Sequence, residues 1–397
     1  MMRLLKQYKA VWGLARNPFP DHAIASAGEH SYPFYENLHP RIASTMARAF
    51  MGCEGEPPSI AFLWSLGEGE EARGYGKTSH LLWFAERVNG DLGRSVAKLA
   101  DRSPAGAKKS VATYASFNSV EGVSLSNLLF DAARDLVGTR QEVLRGLRDH
   151  AFEKGHKPAK IYESAKRFLE DCKEGWSPAL LYRLCHEEPG GWTEYLDNGD
   201  EFSQWHRVRL GREVLRSCVG FLRQLGVHRL FILVDQVEDF ASFMTPSYKL
   251  RRDFPRLAYL CSTDRVLRKR LTFVLTMHPR ASRILSRYWP EGDLGSIAVD
   301  GNAGNLVCLG PMSRARFTDL VKAYIDAVRV AGRTDRVSPL TESVIDLVYE
   351  LEHGRPGYCL QRLFFLFDFA AREGIRTIER KFAEHFFASH TQPRWEI

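Results

Sequence analysis

The chain has 397 residues, 44% hydrophobic and 26% charged, with a formal net charge of +7; this suits one large domain with additions, or two to three small ones. No apolar run approaches the length of a membrane span, since the richest patch, Leu363–Ala371, is interrupted by Asp368. Met1–Phe19 lacks a continuous apolar h-region and a small-residue cleavage site, so no signal peptide is expected.

Residues 1–58 read as an irregular lead-in with a helix over Pro40–Met51. This segment holds Gly13-Leu14-Ala15-Arg16-Asn17-Pro18-Phe19 and an aromatic cluster, Tyr32-Pro33-Phe34-Tyr35, which suits either stacking on a nucleotide base or packing on the core. Ser59–Trp64 is the first strand, and Thr78–Val88 is a helix. Between them runs Leu66–Leu81, rich in glycine and ending in Gly-Lys-Thr. Strand, glycine-rich turn, Gly-Lys-Thr and helix form the layout of a phosphate-binding P-loop. Gly74 and Gly76 let the backbone curl so that amides face an anion, and the helix start adds partial positive charge. Within Gly74-Tyr75-Gly76-Lys77-Thr78-Ser79, Lys77 reaches the outer phosphates and the Thr78 hydroxyl ligates magnesium. One position departs from the pattern: Glu71 stands where the first glycine belongs. The competing reading is a surface turn that happens to contain Gly-Lys-Thr.

A polar stretch, Asn89–Lys109, precedes a second strand, Ser110–Phe117, and Leu125–Val137 shows apolar residues at helical spacing. Gly138–His206 reads as a mostly helical insertion with no assignable chemistry, and Arg207–Leu225 as a basic amphipathic helix. Arg229–Val234 is an apolar strand of the kind buried on both faces of a parallel sheet, and Asp235 emerges at its C-terminal end. That is the Walker B arrangement, in which Asp235 holds magnesium through water. Leu271–Thr276 is another buried strand, whose polar end at Thr276 is expected beside Asp235. Asn305–Leu309 is a fifth strand. Only helices follow, over Arg314–Ala331, Thr341–Glu352, Tyr358–Arg372 and Thr377–Phe387.

Between Lys249 and Arg287 there are eleven Lys/Arg against two Asp, an excess larger than the charge of the whole chain. Such a band, with Arg268, Lys269 and Arg270 together, suits nucleic acid or another phosphate-bearing partner. A set of solvated helix faces, or a subunit interface, is the alternative. The seven cysteines (Cys53, Cys172, Cys185, Cys218, Cys261, Cys308, Cys359) form no Cys-x-x-Cys pair and read as reduced core residues of a cytoplasmic protein. The thirteen histidines show no metal-ligand spacing, and His186-Glu187-Glu188 reads as an exposed loop.

Taken in order, these parts resemble an AAA+ ATPase over roughly residues 13–390. The resemblance rests on Gly74-Tyr75-Gly76-Lys77-Thr78 and Leu230–Asp235. More narrowly, the chain is similar to the clade of origin-recognition and initiator ATPases and the bacterial ExeA- and TniB-type proteins. Asn17-Pro18-Phe19 resembles the Pro-Phe motif of the ExeA-like group, and Leu309-Gly310-Pro311-Met312-Ser313 the crossing into a helical lid. Gly76-Lys77-Thr78-Ser79-His80-Leu81, with Asp235-Gln236-Val237-Glu238, is also similar to ATPases of BREX-type phage-defence systems.

The resemblance implies an α/β P-loop NTPase with a five-stranded, mostly parallel sheet between helices, a helical insertion over 138–206 and a C-terminal helical lid. Its segments are a lead-in over 1–58 packing near the nucleotide, a core over 59–311 and the lid over 312–397. It implies ATP and Mg2+ as ligands, a homo-oligomer or a larger assembly as the working form, and DNA association. It makes Thr276 a sensor and Arg287, after Ser286, an arginine finger reaching a neighbouring subunit's γ-phosphate; an ordinary helix-end arginine is the alternative. Two further departures stand out. Gly357, in Gly354-Arg355-Pro356-Gly357, takes the place of the lid arginine, leaving Arg355 or Arg362 as substitutes. Gln236 replaces the usual Walker B glutamate; glutamine orients a water but accepts no proton, and Glu238 is the remaining acid nearby. General-base help is worth roughly 10²–10⁴ in rate, so the expectation is a nucleotide switch with slow or partner-stimulated hydrolysis. The alternative is an adaptor on a degenerate P-loop. A DNA-remodelling motor is weaker, because neither a second helicase-like core nor a winged-helix motif is recognisable.

Overall fold

The structure, a computed structural model, describes residues 2–21, 40–52, 58–67, 72–103, 108–116, 125–192, 204–237, 247–290, 294, 297, 304–330 and 339–390. In chain order the helices are α1 (Met2–Trp12), α2 (Pro40–Met51), α3 (Lys77–Asp91), α4 (Arg94–Leu99), α5 (Leu125–Arg134), α6 (Gln141–Glu153), α7 (Pro158–Cys172), α8 (Pro178–His186), α9 (Gln204–Gln224), α10 (Ser247–Ala258), α11 (Pro279–Leu285), α12 (Arg314–Ala327), α13 (Glu342–Leu351), α14 (Pro356–Arg372) and α15 (Arg380–Ser389). The strands are β1 (Ile60–Ser65), β2 (Lys109–Ser116), β3 (Val227–Asp235), β4 (Leu271–Met277) and β5 (Leu306–Leu309). The chain divides into two compact units, one comprising Met1–Pro40, Glu70–Ser79 and Leu309–Ile397, the other Arg41–Gly69 and His80–Cys308.

The larger unit is built on a five-stranded sheet in the order β2-β3-β4-β1-β5. β2 pairs with β3, β3 with β4 and β4 with β1, all parallel. A parallel sheet needs helices on both faces, and the sequence supplies for it the continuous apolar run Leu230–Val234, buried throughout. On one face Phe231 packs edge-on against Phe84 of α3, and Phe84 against Phe50 of α2. On the other, α9 contributes Val214, Leu215, Cys218, Phe221 and Leu222 to a core shared with Ile232, Phe273 and Phe62. The insertion joins this same core through Leu144 of α6, Ile161 and Leu169 of α7, Leu180 of α8 and Trp192, so it extends the main core. α9 crosses α5 closely enough that a Cβ on Gly211 would meet the Phe130 backbone nitrogen at 2.8 Å.

β2 lies at the sheet's edge, and two side chains close its outward backbone groups. Asn89 of α3 both donates to the Ala112 carbonyl (2.9 Å) and accepts from its N–H (2.8 Å). A π-helical turn over Asp135–Thr139 follows α5 and brings the Asp135 carboxylate to the Tyr114 N–H (2.8 Å) and the Thr113 hydroxyl (2.8 Å). An edge satisfied in this way leaves no free ladder for another strand. The polar stretch expected over 89–109 contains a short helix, α4, entered through Gly93 at φ 87°.

The smaller unit has an all-helical core of its own, with Phe317, Val344, Leu363 and Phe367 among its buried residues. The lead-in corrects the sequence reading, because Met2–Trp12 is a helix rather than irregular chain. Tyr8 and Trp12, one turn apart, are buried against residues some 350 positions later: the Trp12 indole lies 5.0 Å from Phe367 and its N–H donates to the Arg376 carbonyl. A helix this short is stabilised by such packing more than by its own propensity. Asn17 then donates to the Phe364 carbonyl (3.0 Å) and the Asp368 carboxylate (2.9 Å), while Phe19 meets Phe367 edge-on at 4.9 Å. Asn17-Pro18-Phe19 is thus an anchor onto α14. Tyr32–Tyr35 lies outside the described residues.

Candidate functional site

In the larger unit β1, β3 and β4 end at one edge of the sheet, because they run parallel in register, with Leu63 beside Thr276 and Val234 beside Leu275. Asp235, 2% exposed, closes β3 at that edge. Its Oδ1 accepts from the Thr276 hydroxyl at 3.0 Å and from the backbone N–H of Gln236 at 2.9 Å. Its Oδ2 accepts from the Tyr114 hydroxyl at 3.1 Å. Hydrogen bonds to a charged acceptor are the strong ones, and they offset the cost of burying a carboxylate.

Gln236 has φ 58°, a left-handed conformation that costs a non-glycine residue roughly 1–2 kcal/mol. The turn has a consequence: the Gln236 amide oxygen accepts from the Ser116 hydroxyl at 3.0 Å. Ser116 stands opposite Asp235 in the β2–β3 register, so one strand end holds both Asp235, through Tyr114, and Gln236, through Ser116. Sequence reading passed over Tyr114 and Ser116. The signal available was two hydrogen-bonding side chains at alternate positions at the end of the strand. His278, after β4, caps α11 by accepting from the Ala281 N–H at 3.2 Å. Glu238 lies outside the described residues.

The smaller unit holds the glycine-rich loop. Gly74 and Gly76 sit at φ 80° and 81°, the conformation that glycine alone adopts without strain. Lys77 is buried, and its ammonium donates to the Ala72 carbonyl at 3.1 Å, which turns the side chain back along the loop. Tyr75, Gly76, Thr78 and Ser79 are half-buried. Glu68, Glu70 and Glu71 lie outside the described residues. Gly74 is also where α14 meets the loop: the N–H of Gly357 donates to the Gly74 carbonyl at 2.8 Å, and a Cβ on Gly74 would strike the Tyr358 ring at 2.6 Å.

Arg355 and Arg362, expected as substitutes for a lid arginine, are engaged. Arg355 pairs with Glu352 at 3.1 Å and lies over the Tyr358 ring at 4.7 Å, and Arg362 pairs with the other Glu352 oxygen. Arg287 is exposed on a 3-10 turn, Ser286–Tyr288, directly after α11. In the basic band, Arg252 and Arg256 are partly neutralised by Asp253 at 2.8 and 3.8 Å. Arg268 and Lys269 are exposed, whereas Arg270 is half-buried and lies over Phe168. Burial pushes the thiols of Cys218 and Cys261 up to about 12, as befits inert core residues. Among the described residues, no helix is long and apolar enough to cross a membrane.

The chain superimposes on the ORC2 protein of Aeropyrum pernix in its ADP form with a TM-score of 0.50 at 10% identity, over 92% of this chain and 70% of that one. The ADPNP-ADP complexes of the same protein give 0.51 at 11% identity, over 91% and 70%. At this identity the likeness is one of fold, an α/β P-loop NTPase architecture. No protein-family model and no curated protein matches the sequence. The likeness is therefore carried by the course of the backbone.

Proposed function

We propose that this protein is an ATP-binding switch of the AAA+ type, oligomeric and DNA-associated in its working form, with slow or partner-stimulated hydrolysis. One observation carries the reading: a buried Asp235 supplied with donors by Thr276, Tyr114 and Gln236, at the strand end where this fold binds ligands. The neighbours of known structure, an ADP form and ADPNP-ADP complexes of the Aeropyrum pernix ORC2 protein, support nucleotide as the ligand. In this reading residues 59–311 are the ATPase core, 312–397 the lid and 1–58 a lead-in near the nucleotide.

The chain's residues divide the work. Amides of Gly74–Thr78 and the Lys77 ammonium hold phosphate oxygens, and Tyr75 and Ser79 shape the loop around them. The Thr78 hydroxyl and Asp235 carboxylate are hard oxygen donors of the kind Mg2+ takes, and the ion supplies charge neutralisation on the phosphates. Thr276 holds Asp235 in orientation. Gln236, fixed by Ser116, orients water without accepting its proton, which is why slow turnover is expected. Arg287 and Glu238 are assigned to a neighbouring subunit's phosphate and to proton acceptance, in that order. Arg268, Lys269 and Arg270 are assigned to DNA.

The test is binding and turnover of radiolabelled ATP. Wild type is expected to bind and Lys77→Ala to lose binding; absent binding, or binding unchanged by that substitution, would falsify the assignment. Brisk turnover by wild type overturns only the slow-switch part. A second reading, an adaptor on a degenerate P-loop, is favoured by the engagement of Arg355 and Arg362 with Glu352, which leaves the lid without the usual arginine at Gly357. Nucleotide retained through purification argues against it.

A further inference from the structure

We propose that Phe168, Arg223 and Arg270 form a binding site for the phosphate backbone of nucleic acid at the N-terminal edge of the sheet. This rests on the DNA-association reading and gives it a place that the band Lys249–Arg287 alone does not. Phe168 is half-buried on α7; Arg223 stands in the last turn of α9, just before β3; Arg270 stands immediately before β4. The guanidinium carbon of Arg223 lies 4.1 Å from the centroid of the Phe168 ring and that of Arg270 5.7 Å from the same centroid. Two cations thus converge on one aromatic ring.

What sets them apart is the lack of a carboxylate. Neither Arg223 nor Arg270 forms an ion pair among the described residues, whereas the nearby Arg216 is bound to both Asp264 and Glu174. The acids on the surrounding elements are accounted for: Asp264 is engaged by Arg216, and Glu170 and Asp171 of α7 are exposed to solvent. Ring stacking holds a guanidinium by its face and leaves its N–H edge for the planar recognition of phosphate oxygens. Arg270 is half-buried beside the like charge of Arg223, an arrangement that an arriving anion relieves; burial and that charge both push its guanidinium below its ordinary value.

The site is also rigid. Asp264 accepts from the N–H groups of Val266 and Leu267, both at 3.0 Å, and from Arg216 at 2.9 Å, which fixes the turn leading to Arg270. The Arg270 carbonyl accepts from Leu230 N–H at 2.8 Å, tying the turn to β3. Arg268 and Lys269 stand exposed in the same turn, and Arg167 and Lys173 are exposed on or just past α7. This is more positive charge than one free phosphate neutralises, and it favours a ligand with repeated phosphates. β3 separates its Val227 end, beside the cluster, from Asp235 by about 26 Å, eight rises of ~3.3 Å, so both sites can be filled at once.

The experiment is fluorescence anisotropy of a labelled DNA duplex with the full chain between about 50 and 200 mM salt, for wild type and Arg223→Gln/Arg270→Gln. The double variant is expected to bind about tenfold more weakly at the lower salt and to lose about two units from the slope of log affinity against log salt. Should the half-buried Arg270→Gln disturb folding, the surface variant Arg223→Gln alone, checked by thermal melt, is expected to lose about one unit of slope. Wild-type binding left unchanged in affinity and slope by these variants overturns the site while the DNA reading stands. Wild type that binds no DNA overturns both. Competition by inorganic phosphate that the variants abolish, with DNA affinity intact, also overturns it in favour of a free anion.

Discussion

The two ends of β3 are treated in opposite ways. At the Asp235 end a single negative charge is buried at 2% exposure and met by hydroxyls from β2 and β4 and by a backbone N–H. At the Val227 end two positive charges share the Phe168 ring and no acid pairs with either among the described residues. A buried charge must have its partners built in, since desolvation otherwise costs several kcal/mol. A charge at the surface can be left for a ligand, because water supports it meanwhile. In the proposed reading, one end of the strand is preorganised for a small ligand held in place, and the other is organised for a large polyanion that comes and goes with salt.

The sharpest way to test the acidic end is Gln236→Glu. It keeps the Ser116 hydroxyl within reach and adds a proton acceptor, so ATP turnover is expected to rise by roughly 10²–10⁴. A phosphate-release assay reads this, and no rise would mean that the base is not what limits the site. At the basic end, Arg216→Ala leaves Asp264 buried without its cation and is expected to cost about 3–5 kcal/mol of stability. Urea unfolding measures it; a loss below about 1 kcal/mol would show that the turn before β4 does not depend on this pair.

Smaller effects sharpen the same contrast. Thr276→Val removes one hydroxyl from Asp235 while keeping the buried shape, at an expected cost of about 1–2 kcal/mol with a lower turnover. Tyr114→Phe removes the donor to the other oxygen, at about 0.5–1.5 kcal/mol, and should lower the magnesium concentration needed for nucleotide binding by freeing that oxygen. An unchanged magnesium dependence would make Tyr114 a purely structural partner.

Much of the fold was legible in order along the chain. Apolar runs, and for β2 its β-branched and aromatic residues, predict all five strands to within a residue or two; a parallel strand buried on both faces reads as a continuous apolar run. The four C-terminal helices follow their periodicity to within a few residues. The candidate site is written in neighbouring residues: Gly74, Gly76 and Lys77 in a turn, Asp235 at a strand end. What escaped was whatever depends on a distant partner. Met2–Trp12 is helical because the C-terminal helices cover Tyr8 and Trp12, and no local pattern in the lead-in required it.

By itself, then, the sequence determined the element types, the loop chemistry and the substitution of Gln236 for an acid, since each is written in neighbouring residues. Only the tertiary structure decided which side chains serve Asp235 and Gln236. Tyr114 and Ser116 lie 121 and 120 positions away, and parallel pairing of β2 with β3 is what brings them there. The same holds at the other end, where Phe168, Arg223 and Arg270 meet only because α7, α9 and β4 pack around one core. Local propensity acts over a few residues; sheet order and helix packing bring charges together or hold them apart across the whole chain.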